Sequence, residues 1–240
     1  MASVDRRWLP PVLIAAAVAA SAFAYGNVPA SVNARFEGLL PFDVPNENEE
    51  MPRWFALFLM PAVALLLWAA FRLAPTLTGQ RFARRIFRSA PEAVTSAAQF
   101  ERFGKTYDAI VLAVVMLLLG FHATLLAGAL NAAPAIVSRI LPAVIGASLI
   151  WIGNVMPRLR PNWVAGVRTK RTLEDPQLWR STHRAFGAAF VISGLLTIIA
   201  AAVAPRYGLL IAIGSLLLSL IVGFVASTRR TQTTAHAPNG

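Results

Sequence analysis

Six apolar runs dominate the sequence, at residues 9–25, 54–73, 106–129, 134–156, 185–204 and 207–226. At about 1.5 Å per residue, some twenty helical residues cross the roughly 30 Å hydrocarbon core of a bilayer. Inside that core a helix satisfies every backbone N–H and C=O internally, which an open loop does not. Composition points the same way: the chain is 57% hydrophobic and 14% charged, where a soluble domain is about 25% charged. The expected fold is an all-α membrane protein, a bundle of six transmembrane helices with two large cytoplasmic loops. Four segments follow: a helix hairpin over 1–73 with an acidic loop, a basic loop over 74–105, a four-helix membrane domain over 106–226, and a disordered tail over 227–240.

The first run follows Arg6 and Arg7 and ends in small residues, so it reads either as a signal peptide or as a retained first helix. The loop after it, 26–53, holds four prolines and the acids Glu37, Asp43, Glu47, Glu49 and Glu50. It reads as a solvated outward loop, or as a holder of a hard divalent cation. Pro61 and Pro142 are expected to bend the second and fourth spans. In the basic loop, Phe82 and Ile86 share a helix face between arginines. That pattern suits a short helix on an anionic leaflet or a docking surface for an acidic partner. In the third span Asp108 and His122 stand fourteen residues apart, near one helix face. An ionisable residue in a span is a functional candidate by default. A hydrogen-bonded neutral histidine is the plainer reading. Gly120, Thr124 and Gly128 form a small-residue stripe suited to close packing.

The stretch from Asn154 to Arg184 is the most patterned part of the chain. It carries seven basic residues and two acidic ones. Pro157 and Pro161 end the fourth helix and keep the chain extended. Asn154 offers an amide to the loop backbone that follows. Gly166 permits a turn with positive φ. Thr172 or Asp175 is expected to cap a short helix with Pro176 in its first turn. Trp179 and His183, four residues apart, are in reach of each other. Arg168 and Arg184 present forked donors suited to a carboxylate or a lipid phosphate. The residues Gly153-Asn154, Pro161-Asn162, Gly166, Arg168-Thr169, Thr172-Leu173, Trp179 and Thr182-His183-Arg184, followed by Gly187 and Gly194, occur in an order that resembles the SdpI family of bacterial membrane proteins. One departure is Lys170-Arg171, where the family often has Pro-Trp.

What the resemblance implies is an immunity protein in the bacterial inner membrane. Such a protein protects against a secreted peptide toxin acting from the outer side and sequesters a cytoplasmic repressor at the membrane. The resemblance nominates Arg168, Thr169, Thr172, Trp179, His183 and Arg184 as the residues that carry it, with Asn154, Asn162, Gly166 and Thr182 completing the motif.

The net charge of +11 is expected from arginine-rich cytoplasmic loops rather than from nucleic-acid binding. Eighteen of the basic residues fall on one side of the six-span topology. Four (Arg35, Arg53, Arg139 and Arg206) fall on the other. Positive residues stay inside, so both termini are expected in the cytoplasm. Membrane lipids are the remaining expected partner. The chain has no cysteine, so thiolate chemistry and Cys-bearing metal sites are excluded. No H-E-x-x-H, phosphate loop or nucleophile elbow is present, and neither enzymatic activity nor a cofactor is expected. A competing reading is a small ion-coupled transporter that uses Asp108 and His122, framed by helices broken at Pro61 and Pro142.

Overall fold

A computed structural model describes residues 8–33, 50–77, 97–159 and 166–228. The middle of the acidic loop, the arginine-rich run 81–88, Asn162 and most of the tail lie outside the described residues. The chain runs α1 (Leu9–Ala24), β1 (Ser31–Asn33), β2 (Glu50–Pro52), α2 (Arg53–Leu77), α3 (Ala97–Ala129), α4 (Pro134–Val155), α5 (Lys170–Glu174), α6 (Pro176–Val203) and α7 (Pro205–Thr228). Six of these helices are long and apolar enough to cross a membrane. The expected all-α membrane bundle is what the chain forms.

Helix starts follow proline chemistry. Pro10, Pro134, Pro176 and Pro205 stand in the first turns of α1, α4, α6 and α7, where a missing N–H costs nothing and φ is already helical. The turn between α3 and α4 places Asn131 at φ 55°, a left-handed conformation that asparagine tolerates. Helices α2 and α4 continue through Pro61 and Pro142. Pro142 is buried, and a Cβ on Gly208 of α7 would stand 3.0 Å from its ring. The absent side chain lets α7 lie against that proline.

Packing follows chain order, with α1 against α2 and α3, α2 against α3, α3 against α4, and α4 against α6, which in turn carries α7. The α4–α6 crossing is close. A Cβ on Gly153 would meet the Gly187 carbonyl oxygen at 2.7 Å, and one on Gly146 would meet that of Gly194 at 2.7 Å. Two glycine pairs, each seven residues apart, therefore bring the backbones into contact. Gly120 likewise accommodates Val144, but Gly128 faces open space, so the expected stripe in the third span packs at one end only.

Two boundaries differ from the sequence reading. Segment 26–53 is more than a loop: β1 and β2 pair antiparallel, with Val32 opposite Met51. Val28 and Val32 are buried with Ala24, Leu57 and Ala129, closing that end of the bundle. Arg53 holds the turn, donating from Nη1 to the carbonyls of Val28 at 3.2 Å and Tyr25 at 3.4 Å. Its guanidinium lies 4.4 Å from the centroid of the Tyr25 ring. The second difference is α6, in which the short helix expected to open at Pro176 and the span expected from 185 are one continuous helix.

Candidate functional site: a motif cap on the bundle end

The motif lies at the bundle end opposite the β-hairpin. Asp175 sets it up, because its Oδ1 accepts from the backbone N–H of Gln177 at 2.8 Å and of Leu178 at 3.1 Å. Those two donors have no intrahelical partner, and the cap fixes where α6 starts. One turn later α6 presents Trp179 and His183 on a single buried face. Their rings stack with centroids 4.0 Å apart and planes 21° from parallel.

Both rings are held by hydrogen bonds to backbone. The Trp179 indole N–H donates to the Leu159 carbonyl at 2.8 Å. The Nδ1 of His183 lies 2.8 Å from the Trp179 carbonyl. A carbonyl only accepts, so Nδ1 carries the proton. Nε2 is then the acceptor, and the Val167 N–H donates to it at 3.1 Å. The neutral Nδ1–H tautomer satisfies both contacts at once. Leu159 and Val167 flank the segment 160–165, so one turn of α6 fastens both ends of that segment. Gly166, at φ 106°, is required twice over: an L side chain is strained there, and a Cβ would collide with His183 Nε2.

The other half of the cap is α5, a single helical turn with a capping box. Thr169 Oγ1 accepts from the Thr172 N–H at 3.2 Å, and Thr172 Oγ1 accepts from the Thr169 N–H at 3.0 Å. Reciprocal bonds of this kind close the first turn of a helix. Thr172 is fully buried, and its hydroxyl also faces the carbonyls of Val167 at 2.9 Å and Thr169 at 3.0 Å. Thr169 is thus the residue that caps α5, and Thr172 is its partner in the third helical position. Of the two caps expected for the helix that opens at Pro176, Asp175 fills that place and Thr172 serves α5 instead. Arg171 donates from Nη1 to the Thr228 carbonyl at 2.9 Å. That bond fastens α5 to the last turn of α7, where unpaired carbonyls favour a cation. The Lys170-Arg171 departure therefore has a place in this chain's own architecture.

Of the nominated residues, Gly166, Thr169, Thr172, Trp179 and His183 form one network. Thr182 is fully buried in the same turn of α6, and its hydroxyl has no hydrogen-bond partner among the described residues. Arg168 and Arg184 are exposed. Asn154 differs from expectation: its amide donates back to the Ile150 carbonyl at 2.9 Å, within α4. Asp108 and His122, paired only in the competing transporter reading, do not meet, and His122 has the hydroxyl neighbour that the plainer reading calls for. Asp108 pairs with Arg72 of α2 at 3.3 Å. His122 Nε2 lies 3.2 Å from the Ser21 hydroxyl of α1, and that hydroxyl donates to the Leu57 carbonyl at 2.8 Å. Fourteen residues of helix hold the two ionisable groups about 21 Å apart along the axis.

The backbone anchors Leu159 and Val167 were absent from the sequence reading, since nothing in an apolar residue's identity advertises the hydrogen bonds of its main chain. A buried serine group between α6 and α7 was also missed. There Ser193 Oγ lies 2.9 Å from the Ser215 carbonyl and 2.8 Å from the Ser219 hydroxyl. The spacing of Ser215 and Ser219, one turn apart on an otherwise apolar helix, was the available signal.

Comparison with known proteins adds one finding. Residues 158–227 match the model of the SdpI/YfhL protein family. The match takes in the described motif residues from Gly166 to Arg184, together with α6 and nearly all of α7. Over those residues, under a third of the chain, the sequence is similar to the SdpI/YfhL family. No curated protein and no solved structure matches the chain.

Proposed function

We propose that the chain is an SdpI-type immunity and signalling protein of the bacterial inner membrane, with both termini in the cytoplasm. In this reading it confers resistance to a secreted, membrane-active peptide and holds a cytoplasmic repressor at the membrane. The observation that carries the reading is the family match over 158–227, coinciding with a buried hydrogen-bonded cap rather than a free loop. The charge distribution sets the orientation, with the motif cap inside and the β-hairpin outside. The peptide acts at the hairpin end, and the exposed Arg168 of the cap faces the repressor. Coupling requires two arrangements of the bundle between which the peptide discriminates by affinity. The glycine-paired α4 and α6 are the elements that join cap to membrane core.

Survival tests the reading. The full chain is expressed in a toxin-sensitive bacterium and challenged with secreted membrane-active peptides, beside His183→Ala, Arg168→Ala and an empty vector. Protection is expected from the parent chain and should be lost in His183→Ala. Arg168→Ala should retain protection while releasing a co-expressed repressor from the membrane fraction. An inserted parent chain that protects against no peptide would refute the immunity reading.

A further inference from the structure

We propose that Arg180 and Arg184 form a binding site for the phosphate of an anionic lipid headgroup, at the cap end of the α6 face that meets the bilayer. The inference needs only the membrane-spanning fold and stands independently of immunity.

One exposed stripe runs the length of α6. Ala188, Ile192, Leu195, Ile199 and Val203 are exposed at helical spacing, while Phe186, Phe190, Thr197 and Ala201 point into the bundle. Towards the cap the same stripe continues through Arg184 and then Arg180, both exposed. The two arginines are one turn apart and share a face. From Arg184 to Val203 the helix rises about 28 Å, close to the roughly 30 Å of hydrocarbon in a bilayer. At the far end Arg206 stands 5.7 Å from the Tyr207 ring centroid, the kind of cationic and aromatic pair that marks an interface. Arg184 therefore stands where acyl chains give way to headgroups, and Arg180 lies one turn further towards water.

The nearby charges leave these two guanidinium groups for an anion. Arg180 uses Nε on the Pro176 carbonyl at 3.2 Å, which directs the side chain along the helix and leaves both terminal nitrogens. Arg184 makes no hydrogen bond or ion pair among the described residues. Asp175 is engaged as the helix cap. Glu174 is exposed on α5, and Arg171 is held by Thr228. Two forked donors on one face match a phosphodiester. What selects a lipid over an acidic peptide is the continuation of the stripe. Directly beyond Arg184 the surface is aliphatic for five turns, so its occupant carries a phosphate at one end and hydrocarbon at the other.

The test uses the full chain in vesicles of phosphatidylcholine holding a minority of phosphatidylglycerol. Spin-labelled phosphatidylglycerol and phosphatidylcholine report the lipids held at the protein surface. The parent chain should prefer phosphatidylglycerol, and higher salt should weaken that preference. Arg180→Gln with Arg184→Gln should lower the preference by about fivefold per arginine. Arg206→Gln, which removes one positive charge at the opposite end, should leave it intact. Circular dichroism confirms that each variant is folded. The proposal is overturned if the folded double variant keeps the parental preference, or if Arg206→Gln lowers it by the fivefold expected of one arginine at the cap end.

Discussion

Gly166→Ala tests the cap most directly, because one methyl group attacks it in two ways. The backbone at φ 106° strains any L residue by about 1–3 kcal/mol. The new Cβ also falls on His183 Nε2, so the imidazole must leave its place. The Val167 N–H then loses its acceptor at 3.1 Å, and an unsatisfied donor costs about 1–3 kcal/mol when buried, towards the lower end at this half-buried position. Taking the lower half of each range, the closed cap is weakened by about 3 kcal/mol, or roughly a hundredfold in its opening equilibrium. The chain has no native cysteine, so a single Val167→Cys reporter reads that equilibrium through its alkylation rate. The Gly166→Ala variant should raise the rate about a hundredfold in this background. A second comparison separates the two causes. His183→Ala removes the obstacle, so Gly166→Ala should cost less in that background than in the parent, leaving backbone strain alone. An alkylation rate within about threefold of the parent, or strictly additive effects of the two substitutions, would show that the ring and the glycine do not meet.

At the α4–α6 crossing, Gly153→Ala and Gly194→Ala should each lower the thermal midpoint in detergent by an amount equivalent to about 1–3 kcal/mol, since their Cβ atoms would stand 2.7 Å and 2.5 Å from partner carbonyls. Gly214→Ala, with nothing within 4 Å of its Cβ, should leave the midpoint unchanged, and equal losses at all three positions would refute the close crossing. Thr172→Val should cost about 2 kcal/mol by stranding the partners of its buried hydroxyl, whereas Thr182→Val should stay within about 1 kcal/mol of the parent because its hydroxyl has no partner among the described residues. The same thermal scan decides, and the reverse ranking would mean the two threonines have exchanged roles. Arg171→Gln should loosen the end of α7, seen as faster amide exchange over its last turn, with a change in global stability of only about 1 kcal/mol for so exposed a contact.

The six spans were legible because a run of aliphatic residues long enough to cross hydrocarbon has few other places to fold. The stacking of Trp179 on His183 and the positive φ at Gly166 were legible for local reasons: helical spacing brings residues four apart together, and glycine alone is at ease in that conformation. What was not legible depended on contacts distant in sequence. Asp108 and His122 do lie near one face of α3, as their spacing requires. Yet α1 brings Ser21 to one of them and α2 brings Arg72 to the other, and periodicity within a single helix is silent about its neighbours. The helix start at Asp175-Pro176 was legible from its capping residues; that it runs unbroken into the span expected from residue 185 was not, because hydropathy marks only the apolar part. With Asp175 and Pro176 at its start, the helix carries three polar turns before it becomes apolar.

Those polar turns decide what the motif does for the fold. A span that began at the membrane surface would leave the loop before it free to drift. By extending α6 past the apolar region, the chain places Trp179 and His183 one helical turn apart, outside the apolar stretch, and uses both rings as anchors for backbone that precedes them in sequence. Loop closure over a segment this short costs little, while each ring bond removes a buried polar group from isolation. The result couples loop position to the axial position of α6, and the glycine pairs couple α6 to α4 with no side chain between them to yield. A shift of α4 along α6 must therefore either carry the cap with it or break the Leu159 and Val167 anchors. That is the physical route by which a binding event at one end of this bundle would be felt at the other.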